Sequence, residues 1–256
     1  MRISDFAARA AGVLGAVALL AGCGGSAGTG SFSAIQPSIS LNQTRASAGG
    51  PQEAGKNLYV ANYNSNTVTV YAPGTSTPLR TIAGEAGERP VALSFDAAQN
   101  LYIANQSNID SDVTVYAPGS TKVLRTLSQS IAEPNDVVFD KADNAYVSNS
   151  GGNSVTIYNA ESTELKQEVV DGVASPTAMA FDKKGKLYVA NAPTGGPYTI
   201  TVYARDSRKL VRSISLNTQN GSPDAIAFDK RDDLYVSQSA RNMNGGYKGS
   251  VTVYKQ

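Results

Sequence analysis

The sequence predicts an all-β protein, a β-propeller of five blades with four antiparallel strands each. Three observations carry this reading. A short text recurs five times, its tyrosines Tyr59, Tyr102, Tyr146, Tyr188 and Tyr235 spaced 43, 44, 42 and 47 residues apart. The recurring runs are four to seven residues long and rich in Val, Ile, Tyr, Thr and Phe, the chemistry of strands. Turn signals separate the runs, and no 3.6-residue apolar period follows residue 24.

The chain opens with a segment that reads as an address. Arg2 and Arg9 form a positive start, and an apolar run of about 11 residues from Ala10 to Leu20 is too short to span a bilayer. Leu20-Ala21-Gly22-Cys23 follows directly and resembles the bacterial lipoprotein lipobox. That resemblance implies a signal peptide over 1–22, lipidation of Cys23, and export to the cell envelope as an outer-membrane or surface lipoprotein. Cys23 is the only cysteine, which suits an oxidising compartment. Residues 23–56 carry that Cys and a Gly- and Ser-rich tether. Within it, 32–41 alternates enough to be a closing strand, expected as the outer strand of blade five.

The propeller repeats occupy 57–256. The second strand of each blade is Asn57-Leu-Tyr-Val-Ala-Asn62 and its four relatives, ending at Asn105, Asn149, Asn191 and Gln238. The third is Val68-Thr-Val-Tyr71 and its relatives. The fourth is Leu79-Arg-Thr-Ile82, Leu124-Arg-Thr-Leu127, Leu165 to Val169, and Val211-Arg-Ser-Ile214. The first follows a proline and ends in Phe-Asp: Pro90 to Asp96, Pro134 to Asp140, Pro176 to Asp182, and Pro223 to Asp229. Pro-led and Leu-Arg-Thr runs occur four times each, so blade one lacks an inner strand and blade five an outer one. Ala72-Pro-Gly-Thr75 and Ala117-Pro-Gly-Ser120 suit type II turns, which place Gly third. Four strands per unit of this length match a propeller blade.

Leu-Tyr-Val-Ala-Asn, Val-Thr-Val-Tyr and Pro-x-x-x-x-Phe-Asp together resemble the NHL-type and YVTN-type propeller repeats. The resemblance implies that the Pro-led strand lines the central channel. It implies little about function, because propellers host many unrelated sites.

Composition narrows the chemistry. The chain has no His, which removes Ser-His-Asp triads, His-based proton transfer and His-ligated metals. Lys and Arg number 22 against 21 Asp and Glu, so no basic excess points to nucleic acid. Past residue 22 the side-chain charges balance, which assigns membrane attachment to the lipid.

Binding is expected on the face where the second strands end, because its loops vary while the scaffold repeats. These loops are 62–66, 105–112, 149–154, 191–198 and 238–250. The amides Asn62, Asn105, Asn149, Asn191 and Gln238 recur there and could ring the channel mouth for a small polar ligand or hydrated cation. The bland alternative is that each satisfies its own loop backbone. Tyr63, Tyr198 and Tyr247 are candidate contact residues. The aspartates closing each Phe-Asp read as turn residues, and Arg80, Arg125, Lys166 and Arg212 as edge guards.

Two functions compete. One is a non-catalytic, lipid-anchored platform for an envelope protein or small polar ligand, with no cofactor. The other follows from a resemblance to SMP-30/gluconolactonase propellers, which implies Ca²⁺ held by oxygen ligands. Asn135, Asp136 and Asp224 are its candidates, although Val91 and Thr177 stand where that family's inner-strand acid is expected. A third reading is an array without a specific ligand.

Overall fold

A computed structural model describes residues 39–41, 57–84, 88–205, 208–241 and 246–255. Cys23, the signal segment and residues 32–38 lie outside the described residues. The architecture is five β-sheets arranged as propeller blades.

Blade one comprises β1 (Ile39–Leu41), β2 (Leu58–Asn62), β3 (Thr67–Tyr71) and β4 (Pro78–Ala83). Blade two comprises β5 (Arg89–Phe95), β6 (Leu101–Gln106), β7 (Asp112–Tyr116) and β8 (Val123–Leu127). Blade three comprises β9 (Pro134–Phe139), β10 (Ala145–Asn149), β11 (Ser154–Tyr158) and β12 (Leu165–Val169). Blade four comprises β13 (Pro176–Phe181), β14 (Leu187–Asn191), β15 (Thr199–Tyr203) and β16 (Leu210–Ser215). Blade five comprises β17 (Ser222–Phe228), β18 (Leu234–Arg241) and β19 (Tyr247–Tyr254). All pairs are antiparallel and join strands that are consecutive in sequence. Gly74 and Gly119 take φ of 74° and 76°, and Thr75 N–H and Ser120 N–H close their turns on Ala72 and Ala117.

The first strand corrects one expectation. Residues 39–41 do not close blade five from outside. They pair with β2 at the inner edge of blade one, Ile39 opposite Val60 and Leu41 opposite Leu58. Leu41 thereby holds the register position that Phe95 holds opposite Leu101. The inner edge of β2 otherwise has unpaired backbone groups, and a short alternating segment upstream satisfies them. Blade five has three strands among the described residues, and the outer edge of β19 leaves Val251 and Val253 exposed.

Adjacent blades are joined by one repeated aromatic device. Tyr59, Tyr102, Tyr146 and Tyr188 meet Phe95, Phe139, Phe181 and Phe228 of the next blade edge to face, with centroids 4.8–5.0 Å apart. Such a pair contributes about 0.5–1.5 kcal/mol beyond its area burial. Arg80 and Arg125 do not stand outward as edge guards. Their guanidinium groups lie 6.0 and 5.6 Å from the rings of Tyr59 and Tyr102 and donate to the phenol oxygens. Stacking on an aromatic face recovers cation–π attraction and apolar contact together. Tyr235, the fifth tyrosine, is only half-buried.

Candidate binding face

Every Pro-led strand bulges at the residue after its proline. Pairing skips Val91, Asn135, Thr177 and Asp224, so these residues leave the ladder. Two of them stitch consecutive blades. Asn135 Nδ2 donates to Pro176 O at 2.9 Å and Thr177 Oγ1 donates to Pro223 O at 2.9 Å. Gln106 Nε2 does the same one blade earlier, reaching Pro134 O and Asn135 Oδ1.

The residues considered for Ca²⁺ sit at or beside these bulges, and each is engaged by protein. Asn135 spends both amide atoms on the stitch. Asp136 accepts Val137 N–H at 2.8 Å and Met179 N–H at 2.7 Å, tying β9 to β13. Asp224 accepts Ser239 Oγ–H at 3.0 Å. As placed, they offer no shared set of free oxygens, and among the described residues no three His, Cys, Asp or Glu converge. Asp136 keeps intermediate exposure as a residue, but its carboxyl lies deep between β9 and β13. Burial pushes its pKa up to about 6, and the two N–H bonds only partly oppose that. Burial also raises Asp224, against the Ser239 bond.

The five amides are engaged by protein, as the alternative to a ligand ring expects. Asn105, Asn149, Asn191 and Gln238 are buried, and Asn62 is half-buried. Asn191 Nδ2 donates to Val189 O and the Thr199 and Thr201 hydroxyls, while Oδ1 accepts Ala174 N–H. Asn149 repeats this with Val147 O, Thr156 and Ala132 N–H. Asn62 binds Val60 O, Thr67 and Thr69, and Asn105 binds Asp112 and Thr114. Gln238 Nε2 holds Asn217 O and Gly221 O. A buried amide must find such partners or cost stability, and these donors clamp their own blades; Gln238 Oε1 stays buried with no partner.

The tyrosines divide. Tyr63 lies in a 3₁₀ turn (Tyr63–Ser65), half-buried, with the Arg89 guanidinium 5.4 Å from its ring. Tyr198 packs on the apolar cluster of Ile200, Leu216 and Ile226, and is not a free loop residue. Tyr247 is 55% exposed. It opens β19 rather than sitting in a loop, since β18 and β19 extend as a hairpin pairing Arg241 with Tyr247. The sequence reading overlooked Ile109, 89% exposed between β6 and β7, and Val170, 60% exposed after β12. For Ile109 the signal was present, one apolar residue inside a polar turn. Both stand on the face where the second strands end, with exposed Asp110, Glu133 and Asp171. Among the described residues, a recess between blades one and two beside Asn105 has a cavity volume of about 10 Å³, room for one water.

Comparison with solved structures places the fold among propellers. The chain is similar to hydrazine synthase from Kuenenia stuttgartiensis, with a TM-score of 0.68 and 14% identity over 78% of this chain and 60% of that one. It is similar to a catalytically inactive virginiamycin B lyase from Staphylococcus aureus with quinupristin, with a TM-score of 0.63 and 9% identity over 86% and 70% of the two chains. It is also similar to a luciferin-regenerating enzyme, with a TM-score of 0.60 and 15% identity over 77% and 73%. At these identities the likeness is one of fold. The chain spans about 60% of the hydrazine synthase chain that it matches. No protein-family pattern matches the chain, and no curated protein does.

Proposed function

We propose that this five-bladed propeller is a lipid-anchored binding platform of the bacterial cell envelope, its repeats of NHL or YVTN type. The partner is a protein, docked on the loop face without catalysis. The observation that carries this reading is the character of that face. Its repeated amides donate within the blades, and a recess beside Asn105 has room for about one water. What it offers outward is Ile109 and Val170 beside Asp110, Glu133 and Asp171, and Tyr247 beside Arg241 and Lys248. A recess that small does not suit a small-molecule ligand, which needs a cleft of hundreds of Å³, and this leaves the exposed loop side chains as the contact surface. The lyase neighbour was made inactive by replacing a histidine, and this chain has none with which to repeat that chemistry. The lipobox at Leu20–Cys23 supports the anchor.

The test has two arms. Labelled fatty acid should enter the wild-type protein in its host and not the Cys23→Ser variant. Ile109→Asp with Tyr247→Asp should lose an envelope protein that crosslinks to the wild type. An unchanged crosslinking pattern would refute the loop-face assignment, and absent labelling would refute the anchor.

A further inference from the structure

The opposite face of the ring carries a charge pattern that net charge conceals. Its inner turns join first to second strands. In blades three to five they read Asp140-Lys-Ala-Asp-Asn144, Asp182-Lys-Lys-Gly-Lys186 and Asp229-Lys-Arg-Asp-Asp233. Acids and bases alternate, so a formal count nearly cancels. The structure separates them.

The acids are held by backbone N–H groups, Asp182 buried and Asp140, Asp143, Asp229 and Asp232 half-exposed. Asp140 accepts Ala142 N–H and Asn144 N–H, Asp182 accepts Lys186 N–H, and Asp229 accepts Arg231 N–H and Asp233 N–H, at 2.8–3.0 Å. Two reach across blades: Asp143 accepts Ala97 N–H and Asp232 accepts Lys183 N–H. Arg231 is consumed by Asp229 and Asp233. The lysines remain outward. Lys141, Lys183, Lys184 and Lys230 are exposed and Lys186 half-exposed. Among the described residues none pairs with a carboxylate. Lys141 Nζ donates to Lys183 O at 3.0 Å and Lys183 Nζ to Lys230 O, so the three turns touch. Carbonyls order these ammonium groups without neutralising them. The corresponding turn of blade two, Asp96 to Asn100, has no cation. Glu161 and Glu164 lie on the same face in the β11–β12 loop of blade three.

We infer that these five lysines form a docking surface for the phosphate headgroups of an anionic membrane. The inference rests on the lipid-anchor reading for its choice of polyanion. Geometry permits it. The chain joins β1 from the loop face, and the fifteen residues 24–38 can extend to about 50 Å. A five-residue strand rises about 17 Å, so the anchor can reach past the ring to the lysine face. In that pose the loop face points away from the membrane, toward partners.

The test uses the full chain with Cys23→Ser, so that no acyl chain contributes; lipidation of the wild type is read separately by mass. Flotation compares vesicles of phosphatidylcholine with vesicles containing about one third phosphatidylglycerol, at low and high salt. Each lysine near an anionic surface contributes roughly a fivefold affinity factor. The Lys183→Gln, Lys184→Gln, Lys186→Gln triple should therefore bind the anionic vesicles about 100-fold more weakly. Lys248→Gln on the loop face should change little. If the triple fails to fold by circular dichroism, Lys184→Gln alone should cost about fivefold. Equal binding to both vesicle types overturns the proposal, as does a triple that binds like its parent. Equally tight, lysine-dependent binding to duplex DNA would make the face a general polyanion site and also overturn it.

Discussion

Asn191 shows how a repeated polar residue can be wholly structural. One side chain satisfies a carbonyl, two hydroxyls and a backbone N–H while buried. Asn191→Ala leaves several of these unpaired and should cost about 2–3 kcal/mol in urea unfolding, with partner binding unchanged once folded. Loss of binding at full stability would restore the amide to the functional site. Asp136 makes a different residue-scale prediction. Its folded pKa of about 6 stands above the ordinary aspartate value of 3.8, so between those pH values the native state holds a proton that the unfolded state has released. Its contribution is therefore fully favourable below about pH 3.8 and declines as pH rises toward 6, by up to about 1.4 kcal/mol per pH unit. The stability difference between wild type and Asp136→Asn should shift in the wild type's favour as pH falls from 7 to about 4. A difference that stays constant with pH would refute the raised pKa. The sequence offered both a ligand ring and a structural role for the amides, and burial decided between them; the raised pKa of Asp136 was not legible at all.

At the scale of elements, the strand text was legible because its signals are local. Runs rich in Val, Ile, Tyr and Thr and Pro-Gly turns need no partner to be read, and the Pro-led, Leu-Tyr-Val, Val-Thr-Val-Tyr and Leu-Arg-Thr runs fold as four successive strands. The bulges were not legible, because Val91, Asn135, Thr177 and Asp224 share a position and no chemistry. The turn into β17 shows how tightly one element is specified. Gly221 has φ of 85°, and a Cβ there would lie 1.9 Å from Ser239 O. Its carbonyl also receives Gln238 Nε2–H at 2.7 Å. Gly221→Ala must displace backbone and lose that bond. It should cost about 3 kcal/mol or more. That corresponds to a melting temperature roughly 6–12 °C lower by calorimetry. A variant melting with the wild type would show that the turn relaxes freely.

For the whole molecule, stability is distributed unevenly around the ring. In blades three and four the second strands, β10 and β14, are buried along their full length. In blade one, β2 and β3 bury alternate residues only, and β19 of blade five is largely exposed. Sheets covered on both faces open last. Hydrogen exchange should therefore release β19, β18 and β2 well before β10, β11 and β14. Protection of β19 equal to that of β11 would show that a further strand covers its edge.

By itself the sequence determined the class of fold, the positions of the strands, the turn chemistry and the exclusion of histidine chemistry. These follow from short-range periodicity and composition, which a single chain displays in order. Tertiary structure decided which strand completes blade one, which amides are spent, and which charges face out. Each of these depends on groups distant in sequence competing for the same hydrogen bonds. The pairing of Ile39 with Val60, the burial of Asn191, and the inward turn of Asp182 beside an outward Lys184 are all settled by that competition.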